Sequence, residues 1–135
     1  MADTADELFD QGRYRDAFAA YRDQYFRPDG TRGFWASTYD DLGASAPFED
    51  GVFAAADGDY GSAQRDLRDA IKHAPEFQDA NLMLGDVLFA VSRTHDARAS
   101  WFAVLGSYGA NLPDKESFGP DSAWKSALHM FELHR

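Results

Sequence analysis

The sequence has no cysteine among its 135 residues, which excludes thiol nucleophiles, disulfide frameworks and thiolate zinc sites. Basic side chains are also scarce, because 13 Lys and Arg stand against 23 Asp and Glu, for a formal net charge of -10. Binding to nucleic acids or anionic membrane surfaces requires basic patches, so neither partner is expected. No apolar run approaches the roughly 20 residues that cross a bilayer. The segment MADTADELFD lacks the features of a signal peptide, so we expect a soluble cytoplasmic protein.

β-Branched residues are few, and this scarcity predicts helices. Val, Ile and Thr total 9 residues, whereas Ala, Leu and Met total 35. Strands favour β-branched residues, and helices favour the second group. The length suits one domain with a hydrophobic core of its own. We therefore predict a single all-α domain over residues 1–135.

An internal repeat with a spacing of 34 residues is visible when the chain is aligned with itself. The pairs at this spacing are Gly51 and Gly85, Ala63 and Ala97, and Leu67 and Trp101. A second set lies 46 residues apart and comprises Gly12 and Gly58, Tyr14 and Tyr60, Ala17 and Ala63, and Tyr21 and Leu67. The difference of 12 indicates an insertion in the turn-rich segment 26–43, where extra residues cost little loop entropy.

Each repeat is predicted to form a helix, a tight turn and a second helix. The repeats cover about 1–25, 44–77 and 78–107. Thr4 and Glu7 match a capping box at the first helix, and Gly12 is suited to end that helix. Further helices are predicted over about 46–57, 60–74, 77–91 and 94–107. A single amphipathic helix over about 121–134 caps the C-terminal end.

These residues resemble the tetratricopeptide repeat (TPR) family, whose 34-residue unit carries W-x2-L-G-x2-Y, then A-x3-F, then P. The second half of that motif appears as Ala17-x3-Tyr21, Ala63-x3-Leu67 and Ala97-x3-Trp101, with Pro75 closing the middle repeat. The first half appears as Asn81-x2-Leu84-Gly85-x2-Leu88 and Trp124-x2-Ala127-Leu128-x2-Phe131. The resemblance implies a TPR-like right-handed superhelix of about three helix-turn-helix repeats plus a C-terminal capping helix. The alternative is an ordinary helical bundle with accidental spacing.

The resemblance also implies a binding surface, because the first helix of each pair lines a concave groove in that family. The positions that correspond to this groove are Asp6, Phe9 and Asp10 in the first repeat, Phe48, Glu49, Val52 and Ala55 in the second, Asp79, Leu82, Met83, Asp86 and Phe89 in the third, and Lys125, His129 and Glu132 on the capping helix. Acidic and apolar side chains dominate this set. We therefore expect a protein-interaction module, an adaptor or assembly chaperone, that binds a basic, partly apolar peptide or helix. The alternative is that these carboxylates only solvate an exposed face.

No pattern in the sequence points to catalysis, a metal or a cofactor, and an enzyme is not expected. The segment DGDYGSAQRDLR begins like a calcium loop, but Ser62 replaces the required Gly and Arg68 the bidentate Glu. The four histidines lack the spacing of a metal site on one helix. An enzyme that uses carboxylates such as Glu49 or Asp79 is the weakest hypothesis. The main alternative function is a homo-oligomerising building block, with a homodimer the simplest case.

Aromatic residues are concentrated in the inserted loop 26–43, as Phe26, Phe34, Trp35 and Tyr39. Such a cluster either packs down as a local plug or serves as an interface anchor. Packing is favoured, because exposed aromatic clusters promote aggregation. A packed loop is expected to lie over the groove beside Phe48 and restrict access to it.

Overall fold

The computed structural model describes residues 3–33, 35–108 and 122–134, and this part of the chain is all-helical, as predicted. The chain divides into two compact units, Met1–Pro75 and Glu76–Arg135. The sequence-based prediction of one continuous domain remains a prediction. The described residues form α1 (Ala5–Asp10), α2 (Tyr14–Tyr25), α3 (Trp35–Tyr39), α4 (Ser45–Ala56), α5 (Tyr60–His73), α6 (Gln78–Ala90), α7 (Thr94–Leu105) and α8 (Ala123–Leu133).

In the first unit, α1 packs against α2, α2 against α4, and α4 against α5. Thr4 caps α1 as predicted, because its side chain accepts a hydrogen bond of 3.2 Å from the backbone N–H of Glu7. The buried face of α2 recurs at three- and four-residue steps, as a helix packed on one side requires. Its members are Ala17, Phe18, Tyr21 and Tyr25.

The inserted segment contains the short helix α3, which the sequence analysis treats as loop. A single antiparallel β-bridge joins Phe26 to Arg32. Trp35 is buried, and its ring lies 5.0 Å from that of Phe48 and 5.4 Å from that of Phe26, measured between centroids. For Trp35 the packed alternative is therefore the one found. Phe34 lies outside the described residues.

In the second unit, α6 packs against both α7 and α8, and α7 also packs against α8. Contact with two helices leaves α6 little exposed surface, and residues 80–88 are all buried. Ser122 caps α8, as the predicted helix start requires. On α8, Ser126 is buried, whereas Leu128 and Phe131 are only half-buried.

Close helix contact explains the repeated glycines of α4 and α6. A Cβ built on Gly51 would lie 2.7 Å from Cγ of Leu67, and one built on Gly85 would lie 2.5 Å from Cδ1 of Trp101. Both distances are far shorter than van der Waals contact, so only glycine permits this approach. The two pairs are 34 residues apart, and each joins the first helix of a pair to the second.

The turns inside the three helix pairs share one backbone feature. Gly12, Gly58 and Ser92 have φ values of 79°, 81° and 67°, in the left-handed region. Ser92 is the one non-glycine residue with positive φ in the described part of the chain. A side chain at such a position is strained by about 1–2 kcal/mol.

None of the helices in residues 3–33, 35–108 and 122–134 has the length and apolar character needed to cross a membrane.

Candidate functional site

The first helices of the three pairs carry charge of one sign. Every charged side chain on α1, α4 and α6 is acidic, whereas α2, α5 and α7 each carry both signs. The acidic side chains on the first helices are Asp6, Glu7, Asp10, Glu49, Asp50, Asp79 and Asp86. The first helix of each pair therefore carries negative charge only, and Lys125 on α8 is the one basic residue among the predicted groove positions.

Seven of the fifteen predicted groove residues are not on a surface at all. Six side chains have at most 2% of their area exposed: Phe9, Phe48, Val52, Leu82, Met83 and Asp86. Ala55, named with them, is also buried. These residues pack in the core, and in this arrangement their side chains offer a partner no contact area. The physical reason is neighbour contact: α3 covers Phe48 through Trp35, and α6 is packed by two helices.

Asp86 has a structural role in place of the predicted one. Its Oδ1 accepts a hydrogen bond of 2.9 Å from Nε1–H of Trp101, and both side chains are fully buried. A buried carboxylate requires hydrogen bonds, because removing the charge from water is costly. The pair joins α6 to α7 beside the Gly85 contact.

The other eight predicted residues keep some exposure and remain candidates. Asp10 and His129 are exposed, and Asp6, Glu49, Asp79 and Phe89 are half-buried. The hydroxyl of Tyr21 donates a hydrogen bond of 2.5 Å to Oδ1 of Asp6, which fixes that carboxylate on the α1–α2 pair. Five of the eight are acidic, so the predicted positions that stay exposed offer mainly charge rather than apolar area. On the capping helix, Lys125 and Glu132 are exposed beside His129.

The end of α8 is held by a side chain from α7. Nη1 of Arg98 donates hydrogen bonds of 3.0 Å to the carbonyl of Phe131 and 2.7 Å to that of His134. Its guanidinium lies 4.2 Å from the ring centroid of Phe131. The last carbonyls of a helix have no partner within the helix, and a cation there satisfies them and complements the helix dipole. His134 also packs on Phe89, with ring centroids 4.2 Å apart.

Two clefts in the first unit carry arginines. One, of about 320 Å³, lies where the α1–α2 turn meets α5, and Arg13 there is bound to Asp16 at 2.8 Å. Burial raises the pKa of Tyr60 in this cleft, and Arg15 acts in the opposite direction. The other, of about 480 Å³, includes Arg27 and Arg32, and Arg32 is bound to Asp40 at 3.2 Å. The ion pairs to Asp16 and Asp40 already use one arginine in each cleft.

The outer faces of α5 and α7 differ sharply although their buried faces match. At the spacing of 34, buried Ala63, Leu67 and Ala70 correspond to buried Ala97, Trp101 and Val104. Among the exposed residues of α5 are Arg65, Arg68, Asp69 and Lys72, and the residues 34 positions later are Ala99, Phe102, Ala103 and Gly106, which are also exposed. The four residues of α5 are charged, whereas the four at the corresponding positions in and after α7 are apolar. The sequence analysis did not identify this face, although extending the same alignment to the outer positions would have found it.

Within the residues that the structure describes, no group of three or more His, Asp or Glu side chains is placed to hold a metal ion. Comparisons of the chain with protein-family models, with curated proteins and with solved structures found no match.

Proposed function

We propose that this protein is a non-catalytic protein-interaction module, an adaptor or assembly chaperone, built from TPR-like helix pairs. The packing of α1 on α2, α4 on α5 and α6 on α7 supports the TPR-like part of the proposal. So do the left-handed turn residues and the glycine contacts that recur at the repeat spacing. The proposed partner is a basic, partly apolar peptide or helix.

One observation carries the choice of a basic partner: the absence of Lys and Arg from α1, α4 and α6. The chain carries 13 basic residues, and the second helix of every pair has at least one of them. Opposite charge on a partner raises the association rate, and like charge excludes wrong partners. An acidic peptide would meet repulsion on whichever of these helices it approached.

The burial of the apolar candidates changes how such a partner is held. Because Phe48 and Val52 lie in the core, the carboxylates of exposed Asp10 and half-buried Glu49 supply the contacts in the first unit. Half-buried Phe89 remains as an apolar contact in the second unit. Ion pairs at an exposed surface contribute about 0.2–1 kcal/mol each and weaken with salt. We therefore expect modest affinity that falls as ionic strength rises.

The test uses a synthetic helical peptide with one Leu face and one Lys face, titrated into the full chain at low salt. The double variant Asp10→Lys, Glu49→Lys should bind this peptide on the order of tenfold more weakly, since two attractive contacts become repulsive. The matched control is Asp23→Lys, Asp69→Lys, which changes the net charge equally at exposed sites on α2 and α5. A second control peptide carries Glu in place of Lys.

Equal loss of binding in both double variants would refute the proposal, because attraction to the net charge of -10 would then explain the affinity. Binding of the Glu peptide as tightly as the Lys peptide would also refute it. The Asp86→Lys substitution is unsuitable for this test, because Asp86 is buried and bound to Trp101.

A further inference from the structure

The outer face of α7 is an apolar surface in a strongly acidic protein. Phe102 has 62% of its area exposed, more than any other large hydrophobic residue in the described part of the chain. Its ring lies 5.8 Å from that of Phe131 on α8, so the apolar surface extends across two helices of the second unit. Exposed Ala99, Ala103 and Gly106 surround Phe102 at helical spacing.

Single exposed hydrophobic residues are ordinary, and Leu42 and Phe53 in the first unit are examples. The α7 face is different, because α5 has the same buried face and presents Arg65, Arg68, Asp69 and Lys72 at the same positions. The helix-pair architecture therefore accepts a charged outer face. A contiguous apolar patch on a folded protein marks an interaction site.

We propose that this face, defined as Ala99, Phe102, Ala103 and Gly106 with Phe131 at its edge, binds the same face of a second copy of the chain. Two copies with charges of -10 each repel, and the face where they approach should lack carboxylates. These five residues carry no charge. Arg98, a neighbouring cation, is bound to the carbonyls of Phe131 and His134. Two carboxylates lie beside the face: Asp96, which is paired with Arg93, and Glu132, which is exposed next to Phe131.

The shape of the face also fits a twofold pair. One large ring is surrounded by residues no larger than alanine, so an antiparallel second α7 can place its own Phe102 on the small residues of the first. Symmetric pairs of this kind, in which one patch contacts its own copy, are the commonest form of closed assembly. The two phenyl rings alone would bury about 240 Å², taking 62% of a typical phenylalanine area.

The face is small, and this sets the strength of the pair. One helix face per copy falls below the roughly 1,200 Å² of stable interfaces and belongs with weak, transient ones. The chain should therefore be a monomer at low concentration and a dimer at high concentration. It does not depend on the proposed binding of a basic segment, which uses acidic side chains of other helices.

Sedimentation velocity of the full chain over a concentration series tests this pairing. The weight-average mass of the wild type should rise from 15.0 kDa toward twice that value. Phe102→Arg introduces the residue type that α5 has at the same position, and this variant should remain at 15.0 kDa at every concentration. Leu42→Arg, at another exposed hydrophobic residue, should dimerise like the wild type. A wild type that stays monomeric, or a Phe102→Arg variant that dimerises equally, would overturn the proposal.

The absence of cysteine allows a second test of the contact itself. Ala103→Cys places one thiol on the α7 face, and Ala46→Cys places one on exposed α4 as a control. A short bis-maleimide should link Ala103→Cys into covalent dimers at least several-fold more efficiently than the control. Equal yields from the two variants would contradict the assignment of the α7 face. Both outcomes are separable from the peptide titration, in which only the α1 and α4 carboxylates are changed.

Discussion

The contact between Gly85 and Trp101 gives the sharpest prediction for stability. A methyl group at position 85 would lie 2.5 Å from Cδ1 and Nε1 of Trp101, about 1 Å inside ordinary contact. Trp101 is fully buried and cannot move outward without disturbing its neighbours. Gly85→Ala must therefore shift the indole or separate α6 from α7.

The cost can be estimated from the contacts that change. Overpacking of this kind costs about 1–3 kcal/mol. A shift of the indole also weakens the 2.9 Å hydrogen bond from Trp101 to Asp86, a contribution of about 1.5–3 kcal/mol for a charged acceptor. The higher helix propensity of alanine offsets about 1 kcal/mol of this cost. The net expectation for Gly85→Ala is a loss of about 2–4 kcal/mol in the free energy of unfolding.

Two other glycines supply the comparison. Gly51→Ala meets Leu67 at 2.7 Å, but leucine adapts more easily, so the loss should be about 1–2 kcal/mol. Gly61→Ala meets only Oδ1 of Asp59 at 3.9 Å and should be neutral or stabilising by up to about 1 kcal/mol. Urea unfolding followed by far-UV circular dichroism ranks the three variants by their free energy of unfolding. If Gly85→Ala is as stable as Gly61→Ala, the close-packing argument fails.

Three further predictions concern turns, caps and pH. Ser92→Gly should raise the free energy of unfolding by about 0.5–1 kcal/mol, since it relieves the positive φ, and a destabilised variant in urea would contradict this. Arg98→Ala should cost about 1.5–3 kcal/mol and increase hydrogen exchange at the end of α8, whereas unchanged exchange there would argue against capping from α7. Side-chain and backbone hydrogen bonds to Ser62 lower the pKa of Asp59, so its cap on α5 stabilises the fold above the ordinary pKa and is lost as pH falls through the folded value. Below about pH 4 the melting temperature of the wild type should fall more than that of Asp59→Asn, which caps at any pH, and parallel curves would exclude this role.

Much of the fold followed from local signals in the sequence. Thr4, Gly12 and Gly58 mark a helix start and two turns through chemistry that acts over a few residues. The helix boundaries agree with the predicted ones within about two residues, the usual margin for helix ends. Helix α3 was missed because it begins in a turn-rich segment and has only 5 residues.

The candidate surface was harder to predict, because exposure depends on which neighbours surround a helix. The apolar residues of α6 extend round most of its circumference, so the periodicity of the sequence identifies no single exposed face. Leu82 and Asp86 were therefore expected to face a groove, although both are buried. The exposed face of α7 was not predicted for the opposite reason, because an apolar residue there is exposed rather than buried. Its Phe102 would pass as a core residue by type, and only comparison with Arg68 shows that the position faces solvent.

The three tryptophans are divided between the two compact units, and this makes the chain its own spectroscopic reporter. Trp35 belongs to Met1–Pro75, whereas Trp101 and Trp124 belong to Glu76–Arg135, and all three are buried. Burial shifts indole emission to shorter wavelength, so unfolding of either unit changes the spectrum. In a Trp35→Phe variant the emission comes from the second unit alone, while circular dichroism follows both units. Superimposable transitions by the two methods would mean that the units unfold as one cooperative system, and separated transitions would give each unit a stability of its own.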